Sequence, residues 1–312
     1  MMRMTVLASG SRGNSTVVAT QRTRILIDAG LSCREILKRM NTAGEDPRSL
    51  DAILITHEHQ DHVQGVAVLA RKLGIPVYFT EMTHRAWVRW MCPRKRMTYA
   101  DWLRGRRNET AAGETAKLQI SSGAAVDERE GGSLEEAEAD VRNPAALPSV
   151  AYFEAGKRFV VGDIDVEPFT IPHDAADPVG FVFEGEGIRI GFATDLGYMP
   201  ANARHALRRC DVLMLESNHD TEMLRDGPYP WSVKQRVMSR VGHLSNEAAA
   251  EFLERNYDGQ AAYVVLAHLS QSNNLPALAR VSAERALCDR MSLLANKLLL
   301  AEQDSPLAAI SL

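Results

Sequence analysis

The sequence predicts an α/β protein in which short, buried strands bring polar residues to one common site. Short apolar runs alternate with segments of helical spacing near the start of the chain. The stretch 158–193 instead reads as consecutive strands separated by glycine, proline and aspartate. Several apolar runs end at a histidine, an aspartate or a glutamate, which is the pattern of a site held by a rigid scaffold.

The individual elements follow from these patterns. We predict strands at 3–8, 15–20, 24–30, 52–55, 77–80, 158–161, 164–170, 179–184, 188–193, 211–216 and 263–267. We predict helices at 32–41, from 63 onward, at 232–240, at 247–255 and from about 276 to 298, before a short β-like tail. Ser245 or Asn246 is expected to cap the helix 247–255.

Size and charge bound the class of protein. A length of 312 residues allows one large domain or two small ones. The net charge of −4 confines any nucleic-acid footprint to a local patch. No apolar run reaches the length of a membrane span, and the first residues lack the apolar core of a signal peptide. Reduced thiols in a cytoplasmic protein are predicted by four scattered cysteines without a CxxC pair, Cys33, Cys92, Cys210 and Cys288.

Two regions differ from the rest in composition. Between His84 and Arg107, arginines and tryptophans are interleaved, which suits either a nucleic-acid surface or an amphipathic helix with buried tryptophans. The segment 109–150 is rich in alanine, glycine, serine and glutamate, which predicts a flexible acidic insertion. Because periodic structure resumes without a second set of catalytic residues, we expect one domain, 1–312, interrupted by this insertion.

The densest group of candidate ligands is the His-x-His-x-Asp-His motif at 57–62, directly after a predicted strand. In extended backbone, residues two apart point to the same side, so His57 and His59 can share one metal ion. Asp61 and His62 stand at the entry to the next helix, where they can turn toward a second ion. Nitrogen and oxygen ligands at this spacing suit zinc, and manganese is compatible. A solvated polar turn is the alternative, and the density of ligand-type residues argues against it.

Other polar residues stand where further strands end, and they are candidates for the same site. Those in the second part of the chain are His173, Asp195, Glu216 and His268. Asp28 follows an earlier strand, where it can cap the next helix or hydrogen-bond a metal-ligating histidine. Taken alone, each signal is weak, since His173 equally suits a turn and His268 equally suits a core. Two divalent ions about 3.5–4 Å apart would need about this many ligands.

Together these residues resemble the signature of the metallo-β-lactamase fold superfamily. The resemblance implies an αββα sandwich, with two mixed β-sheets face to face, helices outside and a dinuclear metal site at one edge. It implies a first ion held by His57, His59 and His173. It implies a second ion held by Asp61, His62 and His268, with Asp195 as the bridging carboxylate.

A closer resemblance, to the YycJ/WalJ-like group related to RNase Z, covers nearly the whole chain. It rests on the segments 8–15, 173–181, 216–220, 242–246 and 267–274. It implies a bacterial cytoplasmic metallohydrolase with exonuclease activity on DNA. In such an enzyme two divalent metal ions, zinc ahead of manganese, activate a bridging hydroxide for attack on phosphorus.

Roles beyond metal binding are also expected for several residues of the site. His243 is expected to protonate the leaving group or bind the phosphate, and a loop residue at a helix cap is the alternative. Glu216 is expected to orient His243, because a carboxylate fixes the imidazole tautomer. Asp61 is expected to accept a proton as the water is activated. Candidates for phosphate contact, which equally suit turns and caps, are Asn14, Ser15, His219 and Asn273.

Three functions are therefore weighed. The first is a dinuclear-metal phosphodiesterase acting on nucleic acid, with DNA favoured over RNA. The second is a hydrolase of thioesters, lactones or cyclic phosphodiesters that uses the same metals. The third is a metal-occupied regulatory protein with little turnover, which an intact ligand set disfavours. The sequence offers no argument for or against a homodimer, and none for strand polarity or exo- against endo-action.

Overall fold

Two seven-stranded mixed β-sheets form the centre of the molecule in the computed structural model, which describes residues 1–92, 143–287 and 297–312. The strand order is β14-β1-β2-β3-β4-β5-β6 in the first sheet and β13-β12-β11-β10-β9-β8-β7 in the second. The first-sheet strands are β1 Arg3–Ala8, β2 Ser15–Ala19, β3 Arg24–Ile27, β4 Ala52–Leu54, β5 Val77–Phe79, β6 Val150–Tyr152 and β14 Ile310–Ser311. The second-sheet strands are β7 Phe159–Val161, β8 Ile164–Thr170, β9 Val179–Gly185, β10 Ile188–Ala193, β11 Val212–Glu216, β12 Tyr263–Ala267 and β13 Lys297–Leu300.

Each sheet changes from antiparallel to parallel pairing at one strand. In the first sheet β14, β1, β2 and β3 pair antiparallel, and β3, β4, β5 and β6 pair parallel. In the second sheet β7, β8, β9 and β10 pair antiparallel, and β10, β11, β12 and β13 pair parallel. The carboxyl ends of the parallel strands in each sheet therefore lie at one edge.

The helices of the described residues connect these strands. They are Cys33–Thr42, Gln60–Val63, Val66–Leu73, Glu81–Met91, Ala201–Ala206, Thr221–Asp226, Trp231–Val237, Asn246–Arg255 and Pro276–Leu287, with a 3₁₀ turn at Pro47–Ser49. Ser245 provides the cap of the helix at Asn246–Arg255, where its side chain accepts a hydrogen bond from the amide of Ala248. The predicted helix 276–298 is too long, because Lys297–Leu300 pairs with β12 as a strand.

A shared apolar core joins the inner faces of the two sheets. Along β11, Val212 and Met214 point into this core, whereas Leu213 and Leu215 point to the opposite face. This alternation is the period of two that any strand imposes on its side chains. Both faces of β11 are apolar because the strand is covered on both sides, as is usual for parallel pairs.

Helices cover the outer faces, which completes the αββα arrangement and confirms the predicted fold. On the second sheet, Leu213 and Leu266 share an apolar cluster with Ala203, Leu253 and Ala283 from three helices. On the first sheet, the helix Cys33–Thr42 contacts both β1 and the helix Val66–Leu73. Burial of each large apolar side chain in such layers stabilises the fold by about 1.5–3 kcal/mol.

The last described residues fasten a loop near the start of the chain. The side chain of Gln303 accepts a hydrogen bond from the amide of Arg12 and donates one to the carbonyl of Gly13. The carbonyl of Gln303 accepts a hydrogen bond of 2.7 Å from the guanidinium of Arg39. Because β14 also pairs with β1, the C-terminal residues are an integral part of the first sheet.

Contacts divide the chain into two compact units. The first is Met1–Trp87 with Leu147–Leu312, and it contains both sheets. The second is Val88–Ala146, of which the structure describes 88–92 and 143–146. Most of the predicted insertion 109–150 therefore lies outside the described residues, and one-domain organisation stays a prediction.

The described part of the tryptophan-rich segment gives a divided answer. Trp87 is fully buried, as the amphipathic-helix alternative requires, whereas Trp90 is about half exposed at 49%. Residues 93–107 lie outside the described ranges. Among those ranges no helix is long and apolar enough to cross a bilayer, and Cys33, Cys92 and Cys210 have free thiols.

Candidate metal centre

Both sheets deliver candidate ligands to the site from the carboxyl ends of their parallel strands. Asp28 follows β3 and His57 lies shortly after β4 in the first sheet. In the second sheet Asp195 lies shortly after β10, Glu216 ends β11 and His268 follows β12. The side chains of all five residues are buried.

The backbone at three of these strand ends has the left-handed conformation. The φ angles are 58° at Asp28, 61° at Asp195 and 56° at His268. Residues other than glycine rarely adopt such angles, because the Cβ atom then crowds the backbone. The chain therefore accepts local strain where it turns these side chains into the site.

Backbone hydrogen bonds hold the motif residues 57–62 against the β1–β2 loop, which contains Asn14, and against the loop after β3. The amide of Asn14 donates to the carbonyl of Asp61 at 2.8 Å, and the amide of Ala29 donates to the carbonyl of His62 at 2.8 Å. A Cβ atom on Gly30 would lie 1.6 Å from the carbonyl oxygen of Asp61. Only glycine therefore allows this close approach of the two loops.

Hydrogen bonds fix the Nδ1 atoms of the buried imidazoles. His62 Nδ1 lies 2.7 Å from Asp28 Oδ2, and His268 Nδ1 lies 3.0 Å from Glu216 Oε1. Since a carboxylate only accepts, each of these Nδ1 atoms is the donor. His173 Nδ1 donates in the same way to a backbone carbonyl, that of Gly242, at 3.0 Å.

Thr56 extends this pattern to His57. Its backbone amide and its hydroxyl both donate to the carboxylate of Asp28 at 2.9 Å. The hydroxyl oxygen is then free to accept from His57 Nδ1, 3.0 Å away. In the neutral form of each ring, the Nε2 atoms of His57, His62, His173 and His268 therefore carry the electron pair, which is the state that a metal ion requires.

The remaining ligand-type atoms face one another at short distances. His173 Nε2 lies 3.2 Å from His59 Nδ1, and His268 Nε2 lies 3.6 Å from Asp61 Oδ2. Asp195 Oδ2 lies 3.3 Å from His62 Nε2. The buried atoms without a hydrogen-bond partner in the described residues include His57 Nε2, His268 Nε2 and Asp195 Oδ2.

These atoms form two neighbouring groups, which share no residue and fit two metal ions. One group is His57, His59 and His173, and the other is Asp61, His62 and His268, and in each the ligand atoms lie within 4.8 Å of one another. Asp195 groups with both His57 and His62 at the same limit, so its carboxylate lies between the two sets. Imidazole and carboxylate ligands of this kind suit divalent ions.

Burial and neighbouring charge divide the imidazoles electrostatically. Burial lowers the pKa of His57 and of His173, so both rings favour the neutral form. Burial opposes charge on His62 and His268 as well, but the surrounding carboxylates, Asp195 foremost, outweigh it. The pKa of His62 is therefore well above its ordinary value, and that of His268 rises to about 10.

The carboxylates respond in the opposite direction. Burial alone would raise the pKa of Asp61 and of Asp195, but the charges of His62 and His268 hold both pKa values below the ordinary range. Negative groups that favour a proton on an imidazole also favour a divalent cation bound to it. The electrostatics therefore agree with the ligand geometry.

Glu216 supports the second half of the site. Besides His268, its Oε1 accepts from Nδ1 of His243 at 2.8 Å, and its Oε2 accepts from the amides of Leu196 and Leu244. The side chain of His243 is 18% exposed, whereas that of Glu216 is fully buried. His243 is thus held at its Nδ1 atom while its ring reaches the solvent side of the site.

The four candidate phosphate contacts lie in different surroundings. The side-chain nitrogen of Asn14 lies 3.3 Å from Asp61 Oδ2 and 3.0 Å from His62 Nε2. The Ser15 hydroxyl is buried and donates to the carbonyl of Asp28 at 3.0 Å. His219 and Asn273 are also buried, and the former's Nδ1 and the latter's Oδ1 have no partner in the described residues.

Sequence reasoning missed Thr56, although this residue connects Asp28, His57 and His62. Its place directly before the motif is the one signal that could have identified it. The prediction for Asp28 left two roles open, and the structure distinguishes them. Ser32 caps the helix Cys33–Thr42, and Asp28 hydrogen-bonds His62.

Comparison with known proteins agrees with this geometry. The chain is 34% identical over 280 residues to exodeoxyribonuclease WalJ of Streptococcus pneumoniae serotype 2, covering 90% of this chain and 86% of the relative. It is 32% identical over 286 residues to exodeoxyribonuclease YycJ of Bacillus anthracis, covering 92% and 89%. Its fold is similar to that of YhfI, a metallo-beta-lactamase fold protein of Bacillus subtilis, with a TM-score of 0.58, 12% identity and 98% coverage of both chains.

The family model provides the remaining evidence. The Metallo-beta-lactamase superfamily matches residues 8–268, a range that includes every candidate metal ligand. The matched range begins at the end of β1 and ends at His268, the last ligand in the chain. The chain is a member of the metallo-β-lactamase superfamily.

Proposed function

We propose that this protein is a metal-dependent phosphodiesterase that acts as an exonuclease on DNA. The observation that carries the proposal is the convergence of seven ligand-type side chains from both sheets, with unpartnered buried atoms on His57, His268 and Asp195. DNA is proposed as the substrate because both matched relatives bear the name exodeoxyribonuclease. A hydrolytic metal centre in this family fits that activity.

The proposed ligands follow the two groups of the site. His57, His59 and His173 would hold one ion, and Asp61, His62 and His268 would hold the other. Asp195 would bridge them, since its carboxylate groups with ligands of both. Asp28 would act on the second ion through His62, and Glu216 through His268. Zinc is proposed ahead of manganese because imidazole nitrogen dominates this set.

Differences in exposure within the site support one route of entry for a phosphodiester. Asp61 and His243 are 24% and 18% exposed, whereas His62, Asp195 and His268 are at most 2% exposed. Substrate would therefore approach between the first two side chains. Bound divalent ions would supply a water of lowered pKa and would neutralise charge on the phosphoryl oxygens.

The side chains at this opening have distinct proposed tasks. Asp61 is the partly exposed carboxylate of the second group, so it lies where it can accept a proton as the attacking water is activated. His243 is oriented by Glu216, so it can carry a proton to the leaving oxygen. Glu216 would stabilise the imidazolium of His243, as a buried carboxylate does for a general acid.

The test is hydrolysis of DNA and RNA, single-stranded and duplex, labelled at the 5′ or the 3′ end. The protein would be stripped of metal and refilled with zinc or manganese, beside Asp61→Ala and the exposed control Asp226→Ala. We expect metal-dependent shortening of DNA from an end, lost in Asp61→Ala and kept in the control. Activity on thioesters or lactones with no cleavage of any nucleic acid would refute the proposal.

A further inference from the structure

The rim of the metal centre contains two arginines to which the proposed mechanism gives no role. The first, Arg236, lies in the last turn of the helix Trp231–Val237, and the second, Arg240, lies in the turn before His243. Both are exposed. The turn is joined to the site because the amide of Asp174, next to His173, donates to the carbonyl of Val241 at 3.1 Å.

The backbone of this rim is closely packed, so the Cα positions of the two arginines are fixed relative to the site. A Cβ atom on Gly197 would lie 2.4 Å from the backbone of Arg240. The loop after Asp195 therefore packs directly on the turn that precedes His243. The amide of His243 also donates to the carbonyl of Val237 at 3.0 Å, which closes the turn.

Arg236 presents an oriented guanidinium group to the solvent side of the site. Its Nε donates to Asp174 Oδ2 at 2.5 Å and its Nη2 to Asp174 Oδ1 at 3.1 Å. These two bonds use two of its five N–H groups and leave both on Nη1 for another acceptor. Asp174 Oδ1 also lies 3.5 Å from His173 Nε2, so the guanidinium is held beside the first group of the site. Hydrogen bonding to Asp174 raises the pKa of Arg236, and the charges of Asp174 and Asp61 add to this effect.

Arg240 is stacked on an aromatic ring beside this group. Its guanidinium carbon lies 4.5 Å from the centre of the Tyr198 ring, and that ring is 38% exposed. The stacked guanidinium group and phenol ring form an exposed cationic surface on the two packed loops. Nucleobases stack on guanidinium and aromatic faces of this kind without regard to sequence.

We propose that Arg236, Arg240 and Tyr198 form a strand grip that binds the single-stranded end of a nucleic acid at the metal centre. Arg236 binds a backbone phosphate next to the scissile one through its remaining N–H groups. A base of the same strand stacks on the exposed surface of the Arg240–Tyr198 pair. This inference rests on the proposed nuclease function and specifies the residues that recognise its substrate.

Charge complementarity favours this occupant. Asp174 takes up part of the charge of Arg236, but Arg240 meets an aromatic ring and no carboxylate within its described contacts. Arg236 can therefore bind a phosphate of a polyanion. Arg240 adds positive charge and a surface on which a base can stack. A small neutral ester or lactone would use neither feature.

The test compares Arg236→Gln, Arg240→Gln and Tyr198→Leu with Arg22→Gln, an exposed arginine in the β2–β3 turn at the opposite ends of the strands. Metal-replete protein would be titrated with a fluorescent single-stranded DNA carrying hydrolysis-resistant phosphorothioate linkages, at several salt concentrations. The same proteins would be assayed with bis(p-nitrophenyl) phosphate, a small phosphodiester, and their metal content would be measured.

We expect Arg236→Gln to reduce the slope of log Kd against log salt by about one phosphate contact, and Arg240→Gln, which removes a stacking surface, to weaken DNA binding with a smaller change in that slope. Tyr198→Leu should weaken DNA binding about tenfold with little change in that slope. Metal content should stay near wild type in all variants, and bis(p-nitrophenyl) phosphate hydrolysis should fall less than DNA binding because this substrate has no second phosphate. Arg22→Gln should behave as wild type throughout.

The outcomes separate the two proposals. If the wild-type protein cleaves unmodified DNA but the three rim variants bind it with wild-type affinity and salt slope, the strand grip is wrong and the nuclease function stands. If the wild-type protein hydrolyses only the small phosphodiester and neither binds nor cleaves DNA, both proposals are wrong. Reduced DNA binding in the three rim variants, with wild-type binding by Arg22→Gln, supports the strand grip.

Discussion

The two sheets place an aspartate at equivalent positions and use it differently. In each sheet one strand, β3 or β10, separates the antiparallel pairs from the parallel ones. Asp28 directly follows β3 and Asp195 lies shortly after β10, with φ angles of 58° and 61°. The same topology and the same unusual backbone conformation therefore present a buried carboxylate to the site twice.

The neighbours of the two aspartates differ, and so do their properties. Both oxygens of Asp28 are taken up by Thr56 and His62, and burial raises its pKa. Asp195 has an oxygen without a hydrogen-bond partner in the described residues, and His268 and His62 lower its pKa despite burial. The backbone supplies the position, and the surrounding donors decide whether the carboxylate orients an imidazole or keeps an oxygen for the proposed metal ions.

In the second sheet, a carboxylate on the next strand, β11, orients the imidazoles. Glu216, at the end of β11, accepts from Nδ1 of both His243 and His268, as Asp28 accepts from Nδ1 of His62. Each sheet thus contributes one carboxylate that orients imidazoles, but only the second contributes one that lies among the ligands of both metal groups. The comparison predicts unequal effects for matched substitutions.

The largest effect is expected for Asp195→Ala, which removes the carboxylate between the two metal groups. Metal content should fall from about two ions per protein, and hydrolysis should fall to background, because this carboxylate is proposed to bind both ions. The measurement is metal analysis after gel filtration together with DNA cleavage. Wild-type metal content and activity would show that Asp195 is no more than a supporting residue like Asp28.

His243→Ala should lower cleavage about 10²- to 10⁴-fold, the range for loss of a general acid or base. Metal content should not change, because the ring is absent from both proposed ligand sets. The exposed His205→Ala is the matched control. A loss of metal together with activity would instead place His243 among the ligands.

Asp28→Asn should have a smaller effect than Asp195→Ala, although the two aspartates are equivalent by position. The amide keeps the volume but weakens the hold on His62 Nδ1, so metal affinity should fall about 10- to 100-fold, as for other residues behind metal ligands. Competition with a zinc chelator measures this change. Cleavage at saturating zinc should largely recover, and failure to recover would contradict a supporting role.

The smallest effect is a pH dependence of stability in the metal-free protein. His268 has a pKa of about 10 in the fold against about 6.5 unfolded, so its protonation stabilises the fold fully below about pH 6.5. That contribution is lost as the pH rises through about 10. Urea denaturation of metal-free protein between about pH 6.5 and 10 should show this decline, and His268→Gln should reduce it. An unchanged slope in the variant would exclude His268 as the cause.

Local sequence signals predicted the strands and the ligand motif well because both depend on short-range patterns. The apolar runs before His57, Glu216 and His268 are strands in the structure, whereas the single helix predicted from 63 onward is two helices, Gln60–Val63 and Val66–Leu73. The long helix predicted from 276 failed at its end, where apolar residues of Lys297–Leu300 fit either period and pairing with β12 decides. The periodicity of apolar residues does not show whether a segment pairs with a distant strand.

Side-chain partners from distant parts of the chain could not be predicted in the same way. Arg236 and Asp174 are 62 residues apart, and no local sequence pattern predicts their ion pair. Glu216 was predicted to orient His243, but its contact with His268 depends on how β11 and β12 pair. Such contacts follow from the register of the sheet, which the sequence does not display.

The fastening of the loop 9–13 by Gln303 has a consequence for synthesis on the ribosome. Ser9 accepts the backbone amide of His268, and this loop in turn leads to Asn14 beside Asp61. A chain emerges from its N-terminal end, so the first-made loop must wait for residues near 303 before its contacts close. The candidate metal centre is then completed only after residues near 303 have been synthesised, and a shorter nascent chain would carry the motif at 57–62 without the finished site.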